Sequence, residues 1–199
     1  MSESIAENVP EPTRMSSVAP GKMGIWWFLA SEVMVFGGLI CCYILFRMAA
    51  DGAWAEMATH VNTTIGAINT FVLLTSSLTM VLAGSAAEDE NREKTKLYLG
   101  LTVLLGLLFL VFKGIEYSGE IGKGFTPVTD TFWSFYYLMT GLHGLHVLGG
   151  IVTNLVLFIM AMKGSLWPGS QQRVEYAGLY WHLVDIVWIF LFPLLYLSY

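Results

Sequence analysis

The feature that most constrains this chain is a set of five long apolar runs that contain almost no charged residues. Crossing the hydrocarbon core of a bilayer as an α-helix takes roughly 20 consecutive apolar residues. Each run reaches or nearly reaches that length, and polar or charged loops separate the runs. The sequence therefore predicts an all-α membrane protein. Its five transmembrane helices are expected at about residues 24–47, 65–86, 97–117, 131–162 and 176–197.

The remaining composition supports the membrane class and defines the ends of the domain. Charged residues make up 13% of the chain, whereas a soluble domain carries about 25%. Residues 1–22 are polar and contain three prolines, which predicts a disordered tail before a membrane domain at residues 23–199. The charged loops are mixed in sign and form no basic patch, so we expect no nucleic-acid binding.

The distribution of lysine and arginine predicts the orientation of the bundle. Seven of these residues fall on the side of the amino terminus and three on the opposite side, which accounts for all ten. Positive charge favours the cytoplasmic side of a membrane. We therefore expect a multi-pass protein of the bacterial inner membrane, with a cytoplasmic amino terminus and a periplasmic carboxyl terminus.

Ionisable side chains inside the runs are the candidate functional residues, because each costs roughly 2.5–3.5 kcal/mol on insertion scales. Glu32 lies within the first run. It is either a proton-linked or lipid-linked site, or a carboxyl whose only role is a hydrogen bond to a neighbouring helix. The candidate polar partners of Glu32 are His143, His146, His182 and Asp185. Depths counted from the flanking charged residues favour His182 and Asp185.

Three intramembrane histidines raise the hypothesis of a bound haem. His146 lies about 25 Å from Lys163 and His182 about 14 Å from Arg173, counted at 1.5 Å per residue. This difference in depth disfavours a haem shared by the fourth and fifth runs. Hydrogen-bonded histidines without a metal are therefore predicted, and no catalytic residue is expected on this chain.

Three further features have structural interpretations. Glu116, beside Lys113 at the outer end of the third run, is interpreted as an interfacial carboxylate. Gly141 and Gly144 in the fourth run are predicted to allow close helix packing. The adjacent cysteines at positions 41 and 42 are interpreted as small buried apolar residues, without a disulfide or a metal.

Several motifs together resemble those of one known family. Residues 140–147 read TGLHGLHV and residues 180–191 read YWHLVDIVWIFL. Both are similar to helices of cytochrome oxidase subunit III. The ASEV, LLTSS and KGIEY segments at residues 30–33, 73–77 and 113–117 resemble its other helices, in the same order. The resemblance covers roughly residues 22–199.

The resemblance implies a function within a complex. It implies an accessory subunit of a proton-pumping haem–copper terminal oxidase that supports proton uptake, stability and lipid binding, with Glu32 at the family's buried carbodiimide-reactive carboxyl. Haem and copper would belong to partner subunits I and II, and no cofactor to this chain apart from bound phospholipid. A respiratory supercomplex is one form that such an assembly can take. Many members have seven helices, so a lipid cleft formed by the first two is not expected here.

Other functions remain open from the sequence. The resemblance extends to quinol oxidases and to an accessory protein of nitric-oxide reductase, and the electron donor is undetermined. A haem-binding membrane cytochrome and a proton-coupled carrier are the alternatives from other classes. The lack of an internal repeat counts against the carrier.

Overall fold

The computed structural model describes residues 20–167 and 169–197, and within these residues helices are joined by short loops and there are no strands. Five of the helices are long and apolar enough to cross a membrane, which confirms the predicted fold class. The helices are α1 (Pro20–Ala49), α2 (Ala53–Ala58), α3 (Thr63–Glu88), α4 (Arg92–Gly122), α5 (Thr131–Met162) and α6 (Ser170–Tyr196).

The four helices α3, α4, α5 and α6 form a closed ring in which each packs against two neighbours. Consecutive long helices run in opposite directions. The helix α1 lies outside the ring and packs along α5 and α6, parallel to α6. Its first turns are joined to α6 by an ion pair between Lys22 and Glu175, and its last turns by a hydrogen bond from Tyr43 Oη to Leu194 O.

The helices α1, α4 and α6 begin a turn or more before the predicted apolar runs, and polar caps satisfy the first backbone N–H groups of three helices. The side chains of Asn62, Asn91 and Asp130 accept hydrogen bonds from the first turns of α3, α4 and α5. The bounds of α5 agree with the predicted run at 131–162. The 31 residues of α4 span about 46 Å, so this helix has to tilt or to project from the hydrocarbon.

Three sequence expectations need correction. Residues 20–22, predicted as tail, belong to α1, whereas residues 1–19 lie outside the described part of the chain. The short helix α2 was not predicted, and it forms because Trp54 packs against Tyr43 and two phenylalanines of α5. Cys41 and Cys42 are free and exposed on α1, since α1 turns only one narrow face toward the ring.

Close packing occurs at glycines other than those predicted. A Cβ on Gly150 would lie 2.5 Å from Trp181, and one on Gly106 would lie 2.8 Å from the same indole. The Trp181 indole therefore occupies the space next to these two glycines, where any larger residue on α4 or α5 would collide with it. A Cβ on Gly144 would meet nothing within 4 Å, and one on Gly141 makes only an ordinary contact at 3.8 Å. No contact among the described residues requires a glycine at either position, so the packing role of Gly141 and Gly144 stays a prediction.

We expect Gly150→Ala to destabilise the bundle, because the added methyl group would overlap the Trp181 ring. Overpacking of this kind costs about 1–3 kcal/mol. Gly144→Ala is the matched control, since it adds the same group to the same helix in open space. Thermal unfolding in detergent should give a lower midpoint for Gly150→Ala than for Gly144→Ala, and equal midpoints would contradict this packing.

Candidate functional site

The candidate site is a carboxyl–imidazole pair between α1 and α5, near the middle of both helices. Glu32 Oε2 lies 2.7 Å from His146 Nε2. Neither side chain is more than 17% exposed. The structure thus chooses His146 from the four predicted polar partners of Glu32.

The second hydrogen bond of His146 determines how the pair holds its proton. Its Nδ1 lies 2.8 Å from the carbonyl oxygen of Leu142, and a carbonyl can only accept, so Nδ1 carries a hydrogen. The contact between Nε2 and Oε2 then needs a second hydrogen, because an unprotonated nitrogen and a carboxylate cannot bond to each other. Glu32 and His146 therefore share one proton, as a neutral pair or as an ion pair.

Aromatic side chains from two helices hold the pair in place. The Phe36 ring of α1 packs edge-to-face with the His146 imidazole, with the ring centroids 5.1 Å apart. Tyr180 of α6 donates a hydrogen bond to the carbonyl oxygen of His146, with a length of 3.0 Å. The same tyrosine packs against Phe28. Aromatic side chains of α1 and α6 therefore flank the pair.

The predicted depths were wrong, and the reason is geometric. Tyr180 reaches the backbone of His146, and Gly150 lies against Trp181, so His146 and the first half of α6 lie at similar depth. The depth count uses Lys163 and Arg173 as one reference level, whereas these contacts show that the two residues lie at different heights along the bundle. The supposed mismatch between His146 and His182 therefore carries no weight, and the direction in which each side chain faces decides the pairing.

His182 and Asp185 face α3 rather than Glu32. The His182 Nδ1 lies 2.9 Å from Ser77 Oγ and 4.0 Å from Asp185 Oδ2. The side chain of Asp185 is buried, and neither of its carboxyl oxygens has a hydrogen-bond partner among the described residues. These two residues thus form a separate polar group on the other side of α6.

His143 differs from the expectation of a hydrogen-bonded histidine. It is fully buried and neither ring nitrogen has a hydrogen-bond partner among the described residues. Its ring stacks on Trp188 with centroids 5.0 Å apart and meets the edge of Phe109. In the described part of the chain, no three side chains among His, Cys, Asp and Glu are arranged to hold a metal ion.

A buried ionic cluster lies around Lys113 and Glu116, and the sequence predicts that these two residues are neighbours but not that they are buried. Lys113 and Glu116 form a salt bridge of 2.9 Å, and both are at most 4% exposed. The Lys113 ammonium also donates to the hydroxyls of Tyr136 and Tyr196, and Tyr136 donates to Glu116 at 2.9 Å. Glu116 is therefore enclosed by the helix bundle and paired with Lys113. The signal in the sequence was the spacing of three residues, which places both charges on one helix face.

Together these features define a multi-pass helical membrane protein with a buried Lys113–Glu116 ion pair and a carboxyl–imidazole pair, Glu32 with His146, near the middle of two of its helices. The family model of cytochrome c oxidase subunit III matches residues 5–198. The chain belongs to the cytochrome c oxidase subunit III family.

Individual relatives agree with the family. The chain is 33% identical over 192 residues to the probable cytochrome c oxidase subunit 3 of Nocardia farcinica, covering 96% of this chain and 93% of the relative. It is 34% identical over 196 residues to cytochrome c oxidase subunit 3 of Bacillus sp. (strain PS3), covering 96% and 94%. It is 30% identical over 176 residues to the probable quinol oxidase subunit 3 of Staphylococcus aureus, covering 88% of each chain.

We expect Lys113→Met to destabilise the protein strongly, because it leaves the Glu116 carboxylate buried without its cation. Breaking a buried ion pair by removing one partner costs about 3–5 kcal/mol. The double variant Lys113→Met/Glu116→Leu should recover much of that loss, since it removes both charges. Denaturant unfolding in mixed micelles measures both effects.

The matched control lies on the same helix. Lys96 and Glu93 form an ion pair with the same spacing, but the Glu93 side chain is 85% exposed. Exposed pairs contribute about 0–1 kcal/mol, so Lys96→Met should leave the unfolding free energy nearly unchanged. Similar losses for Lys113→Met and Lys96→Met would contradict a structural role for the buried cluster.

Proposed function

We propose that this chain is the accessory subunit III of a proton-pumping haem–copper terminal oxidase. The family match along nearly the whole chain and the names of its relatives support this proposal. The partners would be the haem-bearing subunit I and subunit II, which would carry the haem and copper. The oxidation of the electron donor and the reduction of oxygen would take place on those subunits.

The observation that carries a role in proton uptake is the proton shared by Glu32 and His146. A lone carboxylate in hydrocarbon is costly, but a carboxyl bonded to an imidazole can exist as a neutral pair or as an ion pair. Both forms of the pair are neutral overall, so the shared proton can move between the Glu32 carboxyl and the His146 imidazole without a net charge appearing in the membrane. We propose that it exchanges protons on behalf of the large subunit and keeps the complex active during sustained turnover.

The proposed setting is the bacterial inner membrane with the amino terminus in the cytoplasm. The excess of lysine and arginine on that side supports this orientation. Two interactions near the same end fit an interfacial position, the exposed pair of Lys22 with Glu175 and the Arg92 guanidinium 5.0 Å from the Trp167 ring centroid. Association into a respiratory supercomplex would be compatible with this placement.

We also propose that a phospholipid occupies the cleft between α1, α5 and α6. The cleft has a volume of about 570 Å³ and an apolar lining that includes Phe28 and Val156. At its cytoplasmic end lie the Arg173 guanidinium and the Tyr176 side chain, which suit a lipid phosphate. Such a site would not need the two additional helices that longer family members have.

We expect Glu32→Ala to shorten the active life of the oxidase during turnover while leaving the complex assembled. Without the carboxyl, His146 Nε2 loses its partner and the pair can no longer hold a proton in the membrane. The measurement is oxygen consumption by the purified complex over many turnovers, compared with Glu93→Ala, which removes an exposed carboxylate of α4. An intact Glu32→Ala complex whose activity decays at the wild-type rate would exclude this role for the pair.

We expect the chain to co-purify with a multi-helix haem-binding chain and a copper-binding chain. The tag belongs at the amino terminus, because Tyr196 near the other end is part of the Lys113 cluster. The absorption spectrum would identify the haem type, and the oxidation of reduced cytochrome c or of quinol by the preparation would identify the donor. A chain that purifies alone and colourless would contradict the oxidase assignment.

The same preparation checks the proposed lipid site. Arg173→Gln should lower the amount of phospholipid that remains bound after detergent washing, because the cleft would lose its cation. Lys163→Gln removes an exposed cation near the same end of the bundle and serves as the control. Equal lipid content in the two variants would exclude Arg173 as the headgroup contact.

A further inference from the structure

Asp185 is a buried carboxyl that the Glu32–His146 pair does not use. It lies on α6, its side chain is 4% exposed, and neither oxygen has a hydrogen-bond partner among the described residues. The nearest ion-pairing group recorded for it is the His182 imidazole, 4.0 Å away. A negative charge without a partner is strongly disfavoured in such a setting, so the surroundings favour a carboxyl that carries a proton.

His182 lies between Asp185 and a groove that leads toward one end of the bundle. Its Nδ1 faces Ser77 and Asp185. Its Nε2 faces the other way, 4.0 Å from where a Cβ on Gly178 would be, and Gly178 lines the groove between α3 and α6. The imidazole thus has one nitrogen toward the buried carboxyl and the other toward the groove.

The groove connects His182 with polar groups at the helix ends. It has a volume of about 340 Å³, and besides apolar side chains its lining includes Ser85, Glu88, Gln171 and Glu175. Gln171 donates a hydrogen bond to Glu88 across the mouth of the groove. The distance along α6 from Gln171 to His182 is about 16 Å. Water is the natural occupant of a groove with carboxylates at its mouth and an imidazole at its inner end.

The charged and titratable groups around His182 lie on two helices, α3 and α6. The α3 helix contributes Ser77 and Glu88, and α6 contributes Asp185 and Glu175, of which Glu175 is paired with Lys22. On the opposite side of His182, α1 presents only apolar groups, which are Trp26, Leu29, Ala30 and Val33. Asp185 has no ion pair with a lysine or arginine in the described ranges.

We propose that Ser77, His182 and Asp185 form a second proton-binding site, which exchanges its proton with water through the groove between α3 and α6. After Asp185 has released its proton along the same route in reverse, His182 Nε2 accepts a proton from the groove, and the imidazolium gives the proton on Nδ1 to the Asp185 carboxylate. Rotation of the carboxyl or one water molecule closes the gap of 4.0 Å. Ser77 Oγ holds the imidazole in the orientation that keeps its two nitrogens on opposite sides.

Infrared spectroscopy of the purified complex tests the buried acid directly. The wild type should show a carboxylic acid C=O band that shifts when aspartate carries ¹³C, and Asp185→Asn should remove it. Should that variant fail to assemble, Asp185→Glu provides the second measurement, because its acid band should no longer respond to aspartate labelling. Persistence of the aspartate band in Asp185→Asn or Asp185→Glu would overturn the proposal.

Hydrogen–deuterium exchange of the same band tests the route. His182→Gln should slow the exchange by about 10²-fold, the lower end of what a positioned proton-transfer group contributes. Gly84→Leu should also slow it, since Gly84 lines the groove and a Cβ there meets no other atom. Gly114→Leu is the control, because its Cβ also meets nothing and it lies outside the groove.

The two parts of the proposal have separate outcomes. Slower exchange in His182→Gln and Gly84→Leu, with wild-type exchange in Gly114→Leu, would support the site and its route. Unchanged exchange in both His182→Gln and Gly84→Leu would overturn the route through the groove. None of these measurements depends on turnover, so failure here is distinct from failure of the role proposed for Glu32.

Discussion

A polar side chain in the hydrocarbon core must find its partners inside the protein, and this requirement governs how α3–α6 pack. The buried pair of Lys113 and Glu116, completed by hydroxyls such as that of Tyr196, joins α4, α5 and α6. The Trp181 indole donates to Ser76 and so joins α6 to α3. Because no water can replace a lost partner there, each bond also fixes the position of one helix along another.

The helix α1 depends on fewer interactions than the ring does. Near the middle of α1, Glu32 forms a hydrogen bond to His146 of α5. The proton in that bond offsets the cost of placing a carboxylate in an apolar environment. The attachment of α1 and the protonation of the pair are therefore linked. This linkage gives a physical reason why loss of Glu32 would affect the durability of the complex more than its assembly.

Much of the fold was predictable because apolar length alone decides whether a helix can cross a bilayer. The five spans were found in this way, and the resemblance carried by residues 140–147 and 180–191 indicated the family. The short helix α2 was not predictable, because its stability comes from Trp54 packing on residues distant in the chain. The burial of Glu116 was not predictable either. Its cation Lys113 comes from the same helix, but its hydroxyl partner Tyr136 comes from α5, and the sequence does not show that contact.

The sequence by itself determined the membrane class, the number of spans and the set of ionisable residues inside them, since these follow from local composition. Only the tertiary structure decided that Glu32 pairs with His146 and that Asp185 faces α3 with His182. The period of a helix shows which residues share a face, but it does not show which neighbour that face meets. The rotation of each helix is set by contacts such as that of Gly150 with Trp181, which join residues far apart in the chain.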